Sequence, residues 1–146
     1  MANKIDTAID AIETELKKLV EADGTGVLKA VVRRIINPLK ETNLPICGLV
    51  PSEVVRHGGL GATADWQIPV LLMVCTRSKD VEGDATITEI IAEIQAKLDA
   101  LIASAAPGVA FDLPRWDIWY RPGLTDVPVG AWGSLRISIT GTLKTA

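Results

Sequence analysis

Trp66-Gln67-Ile68-Pro69-Val70-Leu71-Leu72-Met73-Val74-Cys75-Thr76-Arg77 is the longest near-continuous apolar run in the sequence. It is too short to cross a bilayer as a helix, which takes about 20 apolar residues. A run this long, rich in Val, Leu and Ile, reads as a strand covered on both faces. Side chains alternate along a strand. One face carries Trp66, Ile68, Val70, Leu72 and Val74, and the other Leu71, Met73 and Cys75. Either the rest of the chain or a partner must cover each face.

Length favours one domain spanning all 146 residues. Hydrophobic residues make up 48% and the mean hydropathy is +0.27. That is high for a chain without a membrane segment, so part of the surplus is expected between subunits. A net charge of −3 and a pI near 5.1 argue against holding a nucleic-acid backbone, which needs clustered Lys and Arg. The N-terminal Met-Ala-Asn-Lys-Ile-Asp lacks the basic head and apolar core of a signal peptide. Cys47 and Cys75 both lie in apolar, strand-like contexts and read as buried thiols. One histidine and no Cys-x-x-Cys pair argue against zinc.

Upstream of the central run, a helix is expected from about Asn3 to Ala22. Ile5, Ile9, Ile12, Leu16 and Leu19 share a face. Asn3 is positioned as its cap, Glu13 and Lys17 as a pair one turn apart, and Asp23-Gly24 as its stop. Val27 to Ile36 fits helical spacing but is heavily β-branched and bounded by Gly26 and Asn37-Pro38. It is read as a strand, with Arg33 and Arg34 on opposite faces. Asn43 to Val50 reads as a short strand that Pro45 confines to an edge or to a strand start. Ser52 to Asp65 reads as a mobile loop with Gly58, Gly59, Gly61 and the lone histidine, His57, beside Arg56. It lacks the Gly-Lys-Ser/Thr ending and the strand-to-helix junction of a phosphate loop.

Downstream, Ser78 to Asp84 reads as polar loop. A second helix is expected from about Ala85 to Ser104, with capping-box spacing at Thr86 to Glu89. Ile90, Ile91, Ile94, Leu98, Leu101 and Ile102 form its stripe, Glu93 and Lys97 an outer pair, and Ala105-Ala106-Pro107-Gly108 its end. Arg115 to Tyr120 reads as a strand with Arg115 and Asp117 placed to pair. Arg121 to Gly133 reads as a long loop carrying Trp132, either an interface anchor or a side chain folded over the core edge. Ser134 to Leu143 alternates cleanly, with Leu135, Ile137, Ile139 and Leu143 inward. The expected fold is α+β: a mixed or mostly antiparallel sheet of about 4–5 strands with two long helices packed on one face.

No arrangement of nucleophile and base accompanies His57, and neither cysteine sits at a helix N-terminus, where its pKa would fall. The carboxylates sit on outer helix faces, where a solvated role is the norm. No catalytic, cofactor-binding or metal-binding residue is assigned, and no enzyme activity is expected.

The order and texture resemble the tail terminator, or tail completion, proteins of long-tailed bacteriophages. The resemblance covers nearly the whole chain and rests on loose motifs. These are the opening amphipathic helix, Leu44-Pro45-Ile46, a mobile loop, Trp66-Gln67 leading into a strand, a long helix, Trp116-Asp117-Ile118-Trp119-Tyr120, and the alternating strand from Leu135 to Leu143. It implies a structural virion protein of the tail, assembled in the bacterial host's cytoplasm. Such proteins form a homo-oligomeric ring, usually a hexamer, that caps the tail tube, ends its polymerisation and offers the head-joining surface. The implied partners are the chain itself, the tail tube protein and a head–tail connector protein, with DNA only passing through the lumen and no membrane. The family carries no catalytic residues and no cofactor. Arg56, His57 and Trp132, in the two loops, are the candidate partner contacts. Two other readings stay open: another head–tail connector or minor tail protein, and a small-molecule-binding domain or enzyme built on the glycine loop with Arg56 and His57.

Overall fold

The computed structural model describes residues 3–20, 27–37, 40, 45–78, 83–105, 108–112, 115–119 and 127–144. The chain opens with α1, Lys4–Lys17. Asn3 caps it: its side-chain oxygen accepts from the Asp6 N–H at 2.8 Å. Ala8, Ile9, Ile12 and Leu16 are buried, and Lys17 pairs with Glu13 at 3.5 Å. The helix is shorter than its apolar spacing suggests, because Val20 already bridges to Leu28 in extended pairing. The expected stop at Asp23-Gly24 lies outside the described residues.

Strand β1, Ala30–Val32, runs parallel to β2, Ile46–Pro51. The crossing between them spans about a dozen residues, as parallel neighbours require. The strand expected over Val27 to Ile36 therefore shrinks to three residues. Arg33 and Arg34 lie beyond it rather than on its two faces. Arg33 turns to α1, pairing with Asp10 and, at 3.3 Å, with Glu13. Ile36 folds back over β2 and is 2% exposed. Pro38, Asn43 and Leu44 fall outside the described residues.

The segment Ser52 to Asp65 is not simply a loop. Val55–Gly58 forms β3, antiparallel to β4, Asp65–Ser78. A 3-10 turn at Gly61–Thr63 joins them. The glycines here serve the turn: Gly59 has φ 73°, and a Cβ on it would stand 2.0 Å from the Thr63 carbonyl oxygen. Helix α2, Gly83–Ala103, follows. It starts earlier than the capping-box spacing indicates, so Thr86 lies inside the helix. Ile87, Ile90, Ile94 and Leu98 are buried, whereas Ile102, expected in the stripe, is 45% exposed at the helix end. Residues 79–82 of the expected polar loop, and Ala106-Pro107, are outside the described set.

Three strands complete the chain: β5, Val109–Asp112, β6, Trp116–Trp119, and β7, Val127–Thr140. The expected loop from Arg121 to Gly133 is corrected over its second half, because Val127 to Gly133 pairs in β7 with Leu72 to Ser78. Tyr120 and residues 121–126 lie outside the described residues.

Among the described residues the sheet is mixed and has seven strands, more than the four or five expected. Its order is β1-β2-β4-β7-β5, with β3 also on β4 and β6 also on β7. Ile68, Val70, Leu72 and Val74 of β4 pack with Leu135, Ile137 and Ile139 of β7 and the buried faces of both helices. On the other face of β4, Met73 and Cys75 pack with Ile36 and Ile46. The central strand is thus covered on both faces at this end by its own chain, and Met73 and Cys75 need no partner to hide them.

Candidate interaction surfaces

Arg56 and His57 sit on β3, where pairing with β4 sets their orientation. Arg56 stands opposite Trp66. Directly opposed residues share a face, so Arg56 lies on the helix-bearing side, where Trp66 packs against the core. His57 is the next residue along and is exposed. Both border an open depression of about 670 Å³ that also includes Gly59, Leu60 and Thr63. Leu60 is 72% exposed at the hairpin tip.

Trp132 belongs to β7, opposite Met73 on one side and Asp117 of β6 on the other. It therefore shares the face of Met73, away from the helices, and is 40% exposed. Trp66 and Met73, the β4 partners of Arg56 and Trp132, are seven positions apart, about 23 Å at strand rise. Arg56 and Trp132 thus lie on opposite faces of the sheet, while His57, at the irregularity between Arg56 and Gly58, borders the depression beside Arg56. Around Trp132 the sheet face is mixed: Val50, Pro69 and Leu71 are half-buried, and Arg136 pairs with Asp112 at 3.2 Å. Arg115 and Asp117 form the pair their spacing suggests, at 3.1 Å.

Cys47 is fully buried, and desolvation pushes its thiol up to about 12, so the nucleophilic thiolate is scarce at neutral pH. Cys75 is a buried free thiol as well. Among the described residues no three His, Cys, Asp or Glu side chains gather as metal ligands. No helix among them is long and apolar enough to cross a membrane.

Sequence reasoning missed Leu60, Ile118 and Ile35 as exposed apolar side chains. Single apolar residues in short segments give no periodic signal. For Ile118 the alternation shared with Trp116 is visible, but α2 covers only Trp116, whose indole Nε1 donates to Gln95 Oε1 at 3.4 Å. Comparison with known proteins finds no family model that matches the chain and no curated protein similar to it.

Proposed function

We propose that this chain is a structural virion protein that caps a phage tail tube as a ring, ending tube polymerisation and providing the surface that joins the head. The observation that carries the reading is the order of elements about β4. An amphipathic helix comes first, then short strands, then Trp66-Gln67 leading into a long central strand, then a long helix and aromatic and alternating strands. Further support comes from two exposed surfaces at different places on one protomer, the hairpin with Arg56, His57 and Leu60 and the sheet face with Trp132. A ring between tube and head has different neighbours on its two rims. Trp132 serves one of these contacts and His57 with Leu60 the other. The mildly acidic chain suits a lumen that lets DNA slide.

The test is functional. Purified chain added to polymerising tube protein should stop elongation and leave a cap visible at tube ends by electron microscopy. Tubes that grow to the same length distribution with and without the chain would remove the proposal.

A further inference from the structure

At one end of the sheet the first turn of α1 meets the segment that follows β7. The Lys4 N–H donates to the Leu143 carbonyl at 2.7 Å, and Asn3 bridges to Lys144. The Gly141 N–H donates to the Ala64 carbonyl at 2.7 Å, and the Gly141 carbonyl accepts from the Trp66 indole at 3.1 Å. These bonds fix the walls of a recess of about 240 Å³ whose lining includes Arg56, Ala64, Trp66, Gly141, Leu143 and Lys144.

The charged groups at this recess are cations. Arg56 and Lys144 border it. The Lys4 Nζ lies 3.6 Å from where a Cβ on Gly141 would stand, so the glycine leaves open the space beside a third positive group. Lys4, Arg56 and Lys144 form no ion pair among the described residues. No carboxylate is among the described residues that line the recess. Asp6, two positions from Lys4, is engaged by Asn3 at 3.0 Å. Asp65 precedes Trp66 in β4 and so lies on the opposite sheet face.

Three cations without counter-charges beside an apolar wall call for an anion. The indole donor of Trp66 is already taken, so its ring serves as wall together with Ala64 and Leu143. Three positive charges favour a dianion over a monocarboxylate. The guanidinium fork matches phosphate oxygens, and the two ammonium groups add point charges. The volume is below the roughly 300 Å³ at which pockets for drug-sized ligands begin. A phosphoryl group with a small organic substituent fits that space better than a nucleotide does. A net charge of −3 disfavours a polyanion such as DNA.

We propose that this recess binds a small phosphate monoester. Arg56, Lys144 and Lys4 hold the phosphoryl oxygens, and the organic group lies against Trp66. His57 is not among the residues that line the recess, and the site stands or falls independently of the ring reading.

Phenyl phosphate is the probe, titrated into the full chain by isothermal calorimetry at about pH 8, where the monoester is a dianion. Saturable binding with one site per chain is expected, with a Kd below about 1 mM. Arg56→Gln, Lys144→Gln and Lys4→Gln should each weaken it about tenfold, and the Arg56→Gln, Lys144→Gln double variant further. Lys18→Gln, at the far end of α1, removes the same charge from an exposed site and should leave binding unchanged. Benzoate, with a single charge, should bind about tenfold more weakly or worse. If the double variant fails to fold by circular dichroism, Lys144→Gln alone must still weaken binding. No saturation in the millimolar range, wild-type affinity in the variants at the recess, or benzoate binding as tightly would overturn the site. Duplex DNA that displaces phenyl phosphate at a lower phosphate concentration would put a nucleic-acid backbone there instead and overturn it equally.

Discussion

The indole Nε1 of Trp66 donates a 3.1 Å hydrogen bond to the backbone carbonyl of Gly141. Residues 75 positions apart in sequence are thereby tied at the entry to β4 and the exit from β7. The strands themselves pair from Asp65 with Thr140 to Ser78 with Val127, and this bond fastens the end of that ladder. Trp66→Phe keeps most of the packing and loses the donor, leaving a partly buried carbonyl without its partner. Chemical denaturation should show a loss of about 1 kcal/mol. Trp66→Ala also removes the ring from the core edge and should cost about 3 kcal/mol or more.

Gly48 in β2 lies under the segment that follows β1. A Cβ there would stand 2.5 Å from the Arg34 carbonyl oxygen and 2.9 Å from Ile36 Cγ2. The first of these is backbone, which cannot rotate away. Gly48→Ala should therefore destabilise the fold by about 1–3 kcal/mol, despite the better strand propensity of alanine. A thermal melt decides it: an unchanged midpoint would mean that the segment over β2 is loosely held.

Burial raises the Cys47 thiol from its ordinary value of 9.0 to about 12. The folded state then holds a proton that the unfolded state releases. Its contribution to stability is fully present below about pH 9 and is lost as pH rises through the interval to about 12. Cys47→Ala should flatten this alkaline loss, by at most about 1.4 kcal/mol per pH unit. In the native protein a thiol reagent at pH 8 should label Cys47 only as fast as the chain opens.

Arg33 joins the exit of β1 to α1 through Asp10 and Glu13. The side chains are partly exposed, Arg33 at 37% and Asp10 at 65%, so the pair is screened. A double-mutant cycle of Arg33→Ala and Asp10→Ala should yield a coupling of about 0.5 kcal/mol, falling with added salt.

These tests also mark what could be read from the sequence. The central strand was legible because Trp66 to Arg77 is apolar on both faces; helices cover one face, and Ile36 with Ile46 packs on Met73 and Cys75 of the other, leaving Pro69 and Leu71 half-buried. The first half of β7 was not legible. Pro128, Gly130 and Gly133 resemble loop residues, yet β4 pairs with every one of them. Gly133 is there for packing: a Cβ would come within 3.1 Å of the Trp116 ring. Strand β5 was missed because four residues, Val109 to Asp112, give too short a pattern beside Gly108 and Leu113-Pro114. Strand β3 was hidden by its glycine-rich turn. The three contact candidates are each exposed, but only the register could put Arg56 and Trp132 on opposite faces.

Trp132 is 40% exposed and lies against a sheet face with half-buried neighbours. Trp132→Ser should cost about 3 kcal/mol of stability, since more than half of this large residue is buried. Under the assembly reading the folded variant should also cap fewer tubes. His57→Ala should leave the fold unchanged, and under the small-molecule reading it would abolish ligand binding.

Mass is the most direct test of the account: native mass spectrometry of the purified chain, alone and mixed with tube protein, over a range of concentrations. The account predicts a closed ring, six copies being the expected number, present alone or on meeting the tube. A monomer at every concentration, unchanged by the tube protein, would contradict it.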